Sequence, residues 1–177
     1  AHMAGHVCLS LLVATGTWFA ASHTLVLLWL GWMLGLSGFF VFGILSFREP
    51  AAARVLPTEE LVRWKRLNLW MVTLPGIGWG SIGLLLVPHA EVNNLVVMTS
   101  FAGAFAYSSV SNAYDLRGFL VSVTLATVVL LSQLHRAFEA QAWVASGMCL
   151  LYFGVMTWVA RNAHGTLLES IGLRLAN

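Results

Sequence analysis

The side chains best suited to metal binding or proton transfer are the histidines His6, His23, His89, His135 and His164. Leaving out His2, which stands four residues before His6 in what reads as a tag remnant, no two stand four residues apart, and HExxH does not occur. Outside that remnant no helix offers two imidazoles on one face to a metal, and no metal site is assigned. His23, His89 and His135 fall in links between apolar runs, where interfacial imidazoles are the expectation. Cys8 and Cys149 lie singly in apolar runs, without the paired spacing of a metal or redox motif, and read as small buried hydrophobes. The acids Glu49, Glu91, Asp115 and Glu139 stand at the ends of apolar runs, none in the middle of one. Serines are present without GxSxG or an assignable acid–histidine pair, so no catalytic residue is assigned and no cofactor is implied.

Two stretches carry more information. Tyr107-Ser108-Ser109-Val110-Ser111-Asn112-Ala113-Tyr114-Asp115 is the most polar segment within or at the edge of an apolar run. Polar groups at membrane depth face an interior or a cavity. Tyr107, Ser108, Ser111, Asn112, Tyr114 and Asp115 are therefore candidate ligand-binding residues, with interhelical hydrogen bonding as the alternative. The string Gly76-Ile77-Gly78-Trp79-Gly80-Ser81-Ile82-Gly83 looks like a phosphate loop. It has no strand before it and sits inside an apolar run, so the nucleotide reading fails. Gly76, Gly80 and Gly83 instead share a helix face on which a neighbour can approach closely, and Gly31 and Gly35 make a second pair.

The elements that must position these residues follow from composition. Hydrophobic residues are 59% of the 177 and charged residues 9%, too few to coat a soluble domain. Mean hydropathy is +0.82. Apolar runs span residues 7–22, 25–47, 67–87, 92–113, 118–134 and 142–160. They are too long and too continuous for alternating barrel strands, so each is expected to be a helix. The expected fold is an all-α polytopic integral membrane bundle of about six transmembrane helices. Ala1-His2-Met3 reads as a tag remnant, residues 4–160 as the membrane domain and 161–177 as a cytoplasmic helix. Of the tryptophans Trp18, Trp29, Trp32, Trp64, Trp70, Trp79, Trp143 and Trp158, most stand near the ends of apolar runs and fit an aromatic belt.

Orientation follows from the basic residues. Arg48, Arg54, Arg63, Lys65, Arg66, Arg117, Arg161 and Arg174 share one side of a six-span arrangement, and Arg136 alone is opposite. The positive-inside rule then places both termini in the cytoplasm. The charges form no basic face, so no nucleic-acid partner is expected. In the tail, His164, Leu168, Ile171 and Leu175 step by four, three and four. This is an a/d seam that begins a coiled coil or, equally, the apolar side of a helix lying on the membrane. The seam runs to Asn177 without a Gly or Pro stop, as if the helix were cut rather than finished.

Three segments resemble the N-terminal multi-helix sensor region of bacterial diguanylate cyclases and sensor histidine kinases. They are the basic, Trp-bearing Val62-Arg63-Trp64-Lys65-Arg66, the run Gly78 to Pro88, and the tail Arg161, His164, Leu167, Leu168-Glu169-Ser170-Ile171, Leu173-Arg174. The Gly-, Ala- and Ser-rich run ending at Tyr114 is similar too. The chain departs from the family at Tyr114-Asp115-Leu116-Arg117, where an apolar, Pro-containing turn is expected. The resemblance implies a non-catalytic sensory input domain of the bacterial inner membrane. It also implies a small or lipid-like signal of unknown identity, a homodimer through the tail helix, and a following cyclase or kinase output domain. The alternative is a small transporter or channel subunit, which would need a polar path through the bundle.

Overall fold

The computed structural model describes residues 2–52, 58–111 and 115–176, and these residues are helical almost throughout, with no strand among them. Six α-helices follow in chain order: α1 (His2–Thr17), α2 (His23–Ala52), α3 (Thr58–Gly80), α4 (Glu91–Ser111), α5 (Leu116–Phe138) and α6 (Ala142–Ala176). Short 3-10 turns at Ser81–Leu85 and Glu139–Gln141 link α3 to α4 and α5 to α6. The all-α class expected from the apolar runs is what the chain adopts.

The helices close into a ring. α1 packs on α2, α2 on α3, α3 on α5, α5 on α6, α6 on α4, and α4 returns to α1. The Ser81–Leu85 turn sits at the hub and touches α2, α3, α4 and α5. Its Ile82 and Leu85 are fully buried, together with Met33, Val97, Phe119, Leu130 and Leu134.

The distribution of polarity is the reverse of a water-exposed bundle. Phe19, Leu28, Phe42, Val92, Trp143 and Leu151 lie on the outside, while Ser10, Thr17, Ser37, Asn93, Asn94 and Gln133 are buried. Exposed apolar area on this scale marks a surface made for an apolar medium or a partner. The buried hydroxyls satisfy themselves on their own helices. Ser10 donates to the His6 carbonyl at 2.8 Å, Thr17 to Val13 at 2.8 Å and Ser37 to Met33 at 2.9 Å.

By length and composition the six helices are not six comparable spans. Two stretches are long and apolar enough to cross a membrane, His23–Ser46 and Leu116–Arg174, and the second runs through α5, the 3-10 turn and α6. The apolar part of α1, Gly5–Thr17, is shorter. The apolar run expected at 67–87 is divided physically, because α3 ends at Gly80 and the chain continues as a 3-10 turn. α4 begins with Glu91, Asn93 and Asn94 and ends among serines, which dilutes its apolar length. The last apolar run and the tail from Arg161 belong to one helix, α6, of 35 residues and about 52 Å.

Candidate functional site

The densest polar arrangement inside the bundle is built from three helices. On α1, His6, Ser10, Val13 and Thr17 recur at helical spacing, and the last three are fully buried. On α2, Met33 and Ser37 stand one turn apart, and on α3, Trp79 points inward and is buried. His6 joins the three helices. Its Nδ1 lies 3.2 Å from Ser37 Oγ, and the Trp79 indole N–H donates to its Nε2 at 3.1 Å. The imidazole and indole rings meet edge-on with centroids 5.4 Å apart. Trp29 on α2 extends the cluster, packing edge-on against Trp79 at 5.9 Å and donating its N–H to the Gly78 carbonyl at 3.1 Å.

An indole N–H can only donate, so Nε2 of His6 must be an unprotonated acceptor. The ring proton is then on Nδ1 and goes to Ser37 Oγ, whose own proton goes to the Met33 carbonyl. The hydrogen bonds form one directed chain from Trp79 through His6 and Ser37 to the α2 backbone. Ser37 lies about 21 Å along α2 from the hairpin turn at His23, and His6 is four residues from the start of α1, so the cluster sits toward the open end of the α1–α2 hairpin.

A second polar cluster caps the broken end of α3. The Asn94 side chain accepts from the Val87 N–H at 2.9 Å and donates to the Val87 carbonyl at 2.8 Å. Asn93 donates to the Leu85 carbonyl at 2.8 Å. Gln133 donates to Val129 at 2.8 Å, and its Oε1, like Asn93 Oδ1, is buried without a hydrogen-bond donor. Orphan carbonyls at a helix end need such partners wherever water is excluded.

The glycines divide into two sets. A Cβ on Gly76 would run into the Ser122 carbonyl, one on Gly80 would meet the Ala126 carbonyl at 2.6 Å, and one on Gly83 the Leu130 side chain at 2.9 Å. These three form the seam between α3 with its 3-10 end and α5. Gly31 and Gly35 have nothing within 4 Å of a built Cβ and face outward. Gly78, Gly16 and Gly43 are further close-approach positions, against Met33, Val96 and Met71 respectively.

The candidate ligand residues that the structure describes are spread along the end of α4 and the start of α5. Asn112 and Tyr114 lie outside the described residues, and Ser111 is the last residue of α4. Tyr107 is half-exposed, Ser108 is partly buried, and the fully buried serine is Ser109, which donates to the Ala106 carbonyl at 2.8 Å. Asp115 caps α5 through the Gly118 N–H at 3.0 Å, and its other oxygen accepts from Asn68 at 3.1 Å. Both carboxylate oxygens thus hold the fold together. A narrow crevice too tight for a water molecule lies elsewhere, between α4, α5 and α6, bounded among others by Phe101, Phe105, Cys149, Tyr152 and Met156. Tyr152 closes it by donating its hydroxyl to the Ala102 carbonyl of α4.

Among the described residues no three His, Cys, Asp or Glu side chains gather as metal ligands. His89 instead approaches Glu139 at 3.9 Å across the two link turns, with both side chains largely exposed. Cys149 is buried as expected, but Cys8 is on the outside. Trp29 and Trp79 belong to the core rather than to an aromatic belt. On the tail, His164 is partly buried, Leu168 and Ile171 are exposed, and Leu175 falls in the last turn of α6.

The pattern that points to the His6 cluster is in the sequence: His6, Ser10 and Thr17 repeat at four and seven residues in an otherwise apolar helix. What the sequence does not contain is the pairing of that stripe with Ser37 and Trp79, which lie 31 and 73 residues away. Compared with known proteins, the chain matches no family model, no curated protein and no solved structure. The likeness to bacterial sensor regions therefore stands on the quoted motifs alone.

Proposed function

We propose that the chain is a membrane-embedded sensory input module whose output leaves through α6. In this reading all six helices cross the bacterial inner membrane, with α3 and its 3-10 end acting as one crossing and both termini in the cytoplasm. The apolar exterior and hydroxyl- and amide-bearing interior support immersion in lipid. The basic residues outside α5's end support the orientation.

The observation that carries the reading is the continuity of α6. Ala142, Cys149 and Ala160 on its first part are buried against the bundle, and Leu168, Ile171 and Leu173 on the same unbroken helix are exposed. A rigid helix transmits a rotation or tilt of its packed part to its free part. The exposed Leu168 and Ile171, with His164 and Leu175, supply a seam through which two copies pair and pass that motion to a following cyclase or kinase module. The signal is a small or lipid-like molecule that changes helix packing.

The test appends a diguanylate cyclase module after Asn177 and inserts one to four alanines between Arg161 and His164. Each insertion turns the seam by about 100° relative to the bundle. Output should rise and fall with insertion length and recover near a whole turn. Output that ignores insertion length would sink the proposal.

A further inference from the structure

We propose that His6 is a proton-operated latch that holds α1 against α2 and α3. Its two ring nitrogens have opposite hydrogen-bonding roles. Nε2 receives the Trp79 N–H at 3.1 Å, and Nδ1 stands 3.2 Å from Ser37 Oγ. The neutral ring with its proton on Nδ1 satisfies both bonds, and no other protonation state does. A second proton has one place to go, Nε2, where it opposes the indole N–H. The acceptor becomes a donor, the bond to α3 is lost, and a charge appears inside the bundle.

Among the described residues no acid pairs with the ring. α1 contributes Ser10, which is already bonded to the His6 carbonyl. α2 contributes Met33 and Ser37, and α3 contributes Trp79, none of them acidic. α4 packs on α1 through Val96, and its acid, Glu91, stands exposed at the helix start. Cys8 lies on the outside and His23 stacks on Trp18 at the far end of the hairpin. His2, one turn before His6 on α1, is a base and brings no negative charge, and the acid of α2, Glu49, stands about 18 Å along the helix from Ser37. The ion pair found among the described residues is His89 with Glu139, in the link turns. An uncompensated charge in such a place is costly, so protonation works against docking of α1.

The direction is fixed by proton count. The docked state holds His6 neutral, and the released state accepts a proton. Docking is therefore present at higher pH and lost as pH falls. What remains for α1 after release is apolar contact, chiefly Val13 and the approach of Gly16 to Val96. The latch requires only the packing of α1, α2 and α3, and stands whether or not α6 relays a signal.

The test uses the whole chain in lipid nanodiscs, with Cys149→Ala and Val121→Cys, and spin labels on the exposed native Cys8 and on position 121. Electron–electron distance measurements should give one narrow population at pH 8. A second, broader population should grow about tenfold or more by pH 5. His6→Gln cannot titrate, yet can still accept from Trp79 and donate to Ser37, and should keep the narrow population at both pH values. Nitrogen NMR of the histidines in the unaltered chain should show His6 as the Nδ1–H tautomer at pH 8, a result independent of whether the variant folds. An Nε2–H tautomer, a distance unchanged by pH in the native sequence, or the same pH response in His6→Gln would each overturn the latch.

Discussion

Gly80 on α3 sits so close to Ala126 on α5 that a Cβ built on it would lie 2.6 Å from the Ala126 carbonyl oxygen and 2.8 Å from its Cα. These are backbone atoms of a packed helix, and they cannot move aside as a flexible side chain can. Gly80→Ala should therefore separate the two helices and lower stability by about 2–3 kcal/mol. Gly35→Ala, where a Cβ meets nothing, should stay within about 0.5 kcal/mol of the native chain. Unfolding in mixed detergent followed by circular dichroism measures both. Equal losses would mean that the α3–α5 seam is not the close one.

That contrast shows where sequence reasoning runs out. Spacing alone identifies both glycine sets as small-residue stripes, because both repeat at four residues. Which stripe meets a neighbour depends on the order of helices around the ring, and that order is set by contacts between residues distant in sequence. The helices themselves were legible, since continuous apolar runs in a chain with so few charges leave the backbone no other way to satisfy its polar groups. The division of the third run was less so. Gly80 and Gly83 allow the close approach to α5, but the 3-10 end depends on Asn93 and Asn94 arriving from α4 to cap it. The Asp115 region shows a similar limit. Its composition is polar, yet the carboxylate is consumed by a helix cap and by Asn68.

Asn94 makes the second prediction. Its amide holds both the N–H and the carbonyl of Val87, at 2.9 and 2.8 Å, where the chain leaves the 3-10 turn. Asn94→Ala strands both backbone groups in a partly buried place and should cost about 2–3 kcal/mol. Asn94→Gln keeps the chemistry but moves the amide by one methylene, and should recover only part of the loss. The same unfolding measurement reads both variants. An alanine variant as stable as the native chain would show that water caps Val87 equally well.

Asp115 separates a structural from a ligand-binding role. Asp115→Asn retains an oxygen for the Gly118 N–H, and asparagine is a good N-cap, so stability should change by less than about 0.5 kcal/mol. Asp115→Ala removes the cap and the bond from Asn68 together, and should cost about 1–2 kcal/mol. If the negative charge itself were what this position needs, the asparagine variant would fall as far as the alanine one.

The link turns store strain that glycine would release. Glu139 has φ 42° and ψ −113°, a conformation that side chains oppose, and His89 has φ 60°. His89 occupies the third position of a turn closed by the Ala90 N–H on the Val87 carbonyl at 3.3 Å, with Pro88 before it. Relief of about 1–3 kcal/mol of strain outweighs the ~0.5–1 kcal/mol entropic cost of glycine, so Glu139→Gly should raise the melting temperature. His89→Gly should raise it by less, because the left-handed region is milder for a side chain than the one Glu139 adopts. The His89–Glu139 pair is lost in either variant, but it is long and largely exposed, and a surface ion pair of that kind contributes little. Glu139→Ala provides the control. It removes the pair and leaves the strain, and should melt close to the native chain. A drop in Glu139→Ala as large as the gain in Glu139→Gly would mean that the ion pair, rather than the backbone, governs the stability of these turns.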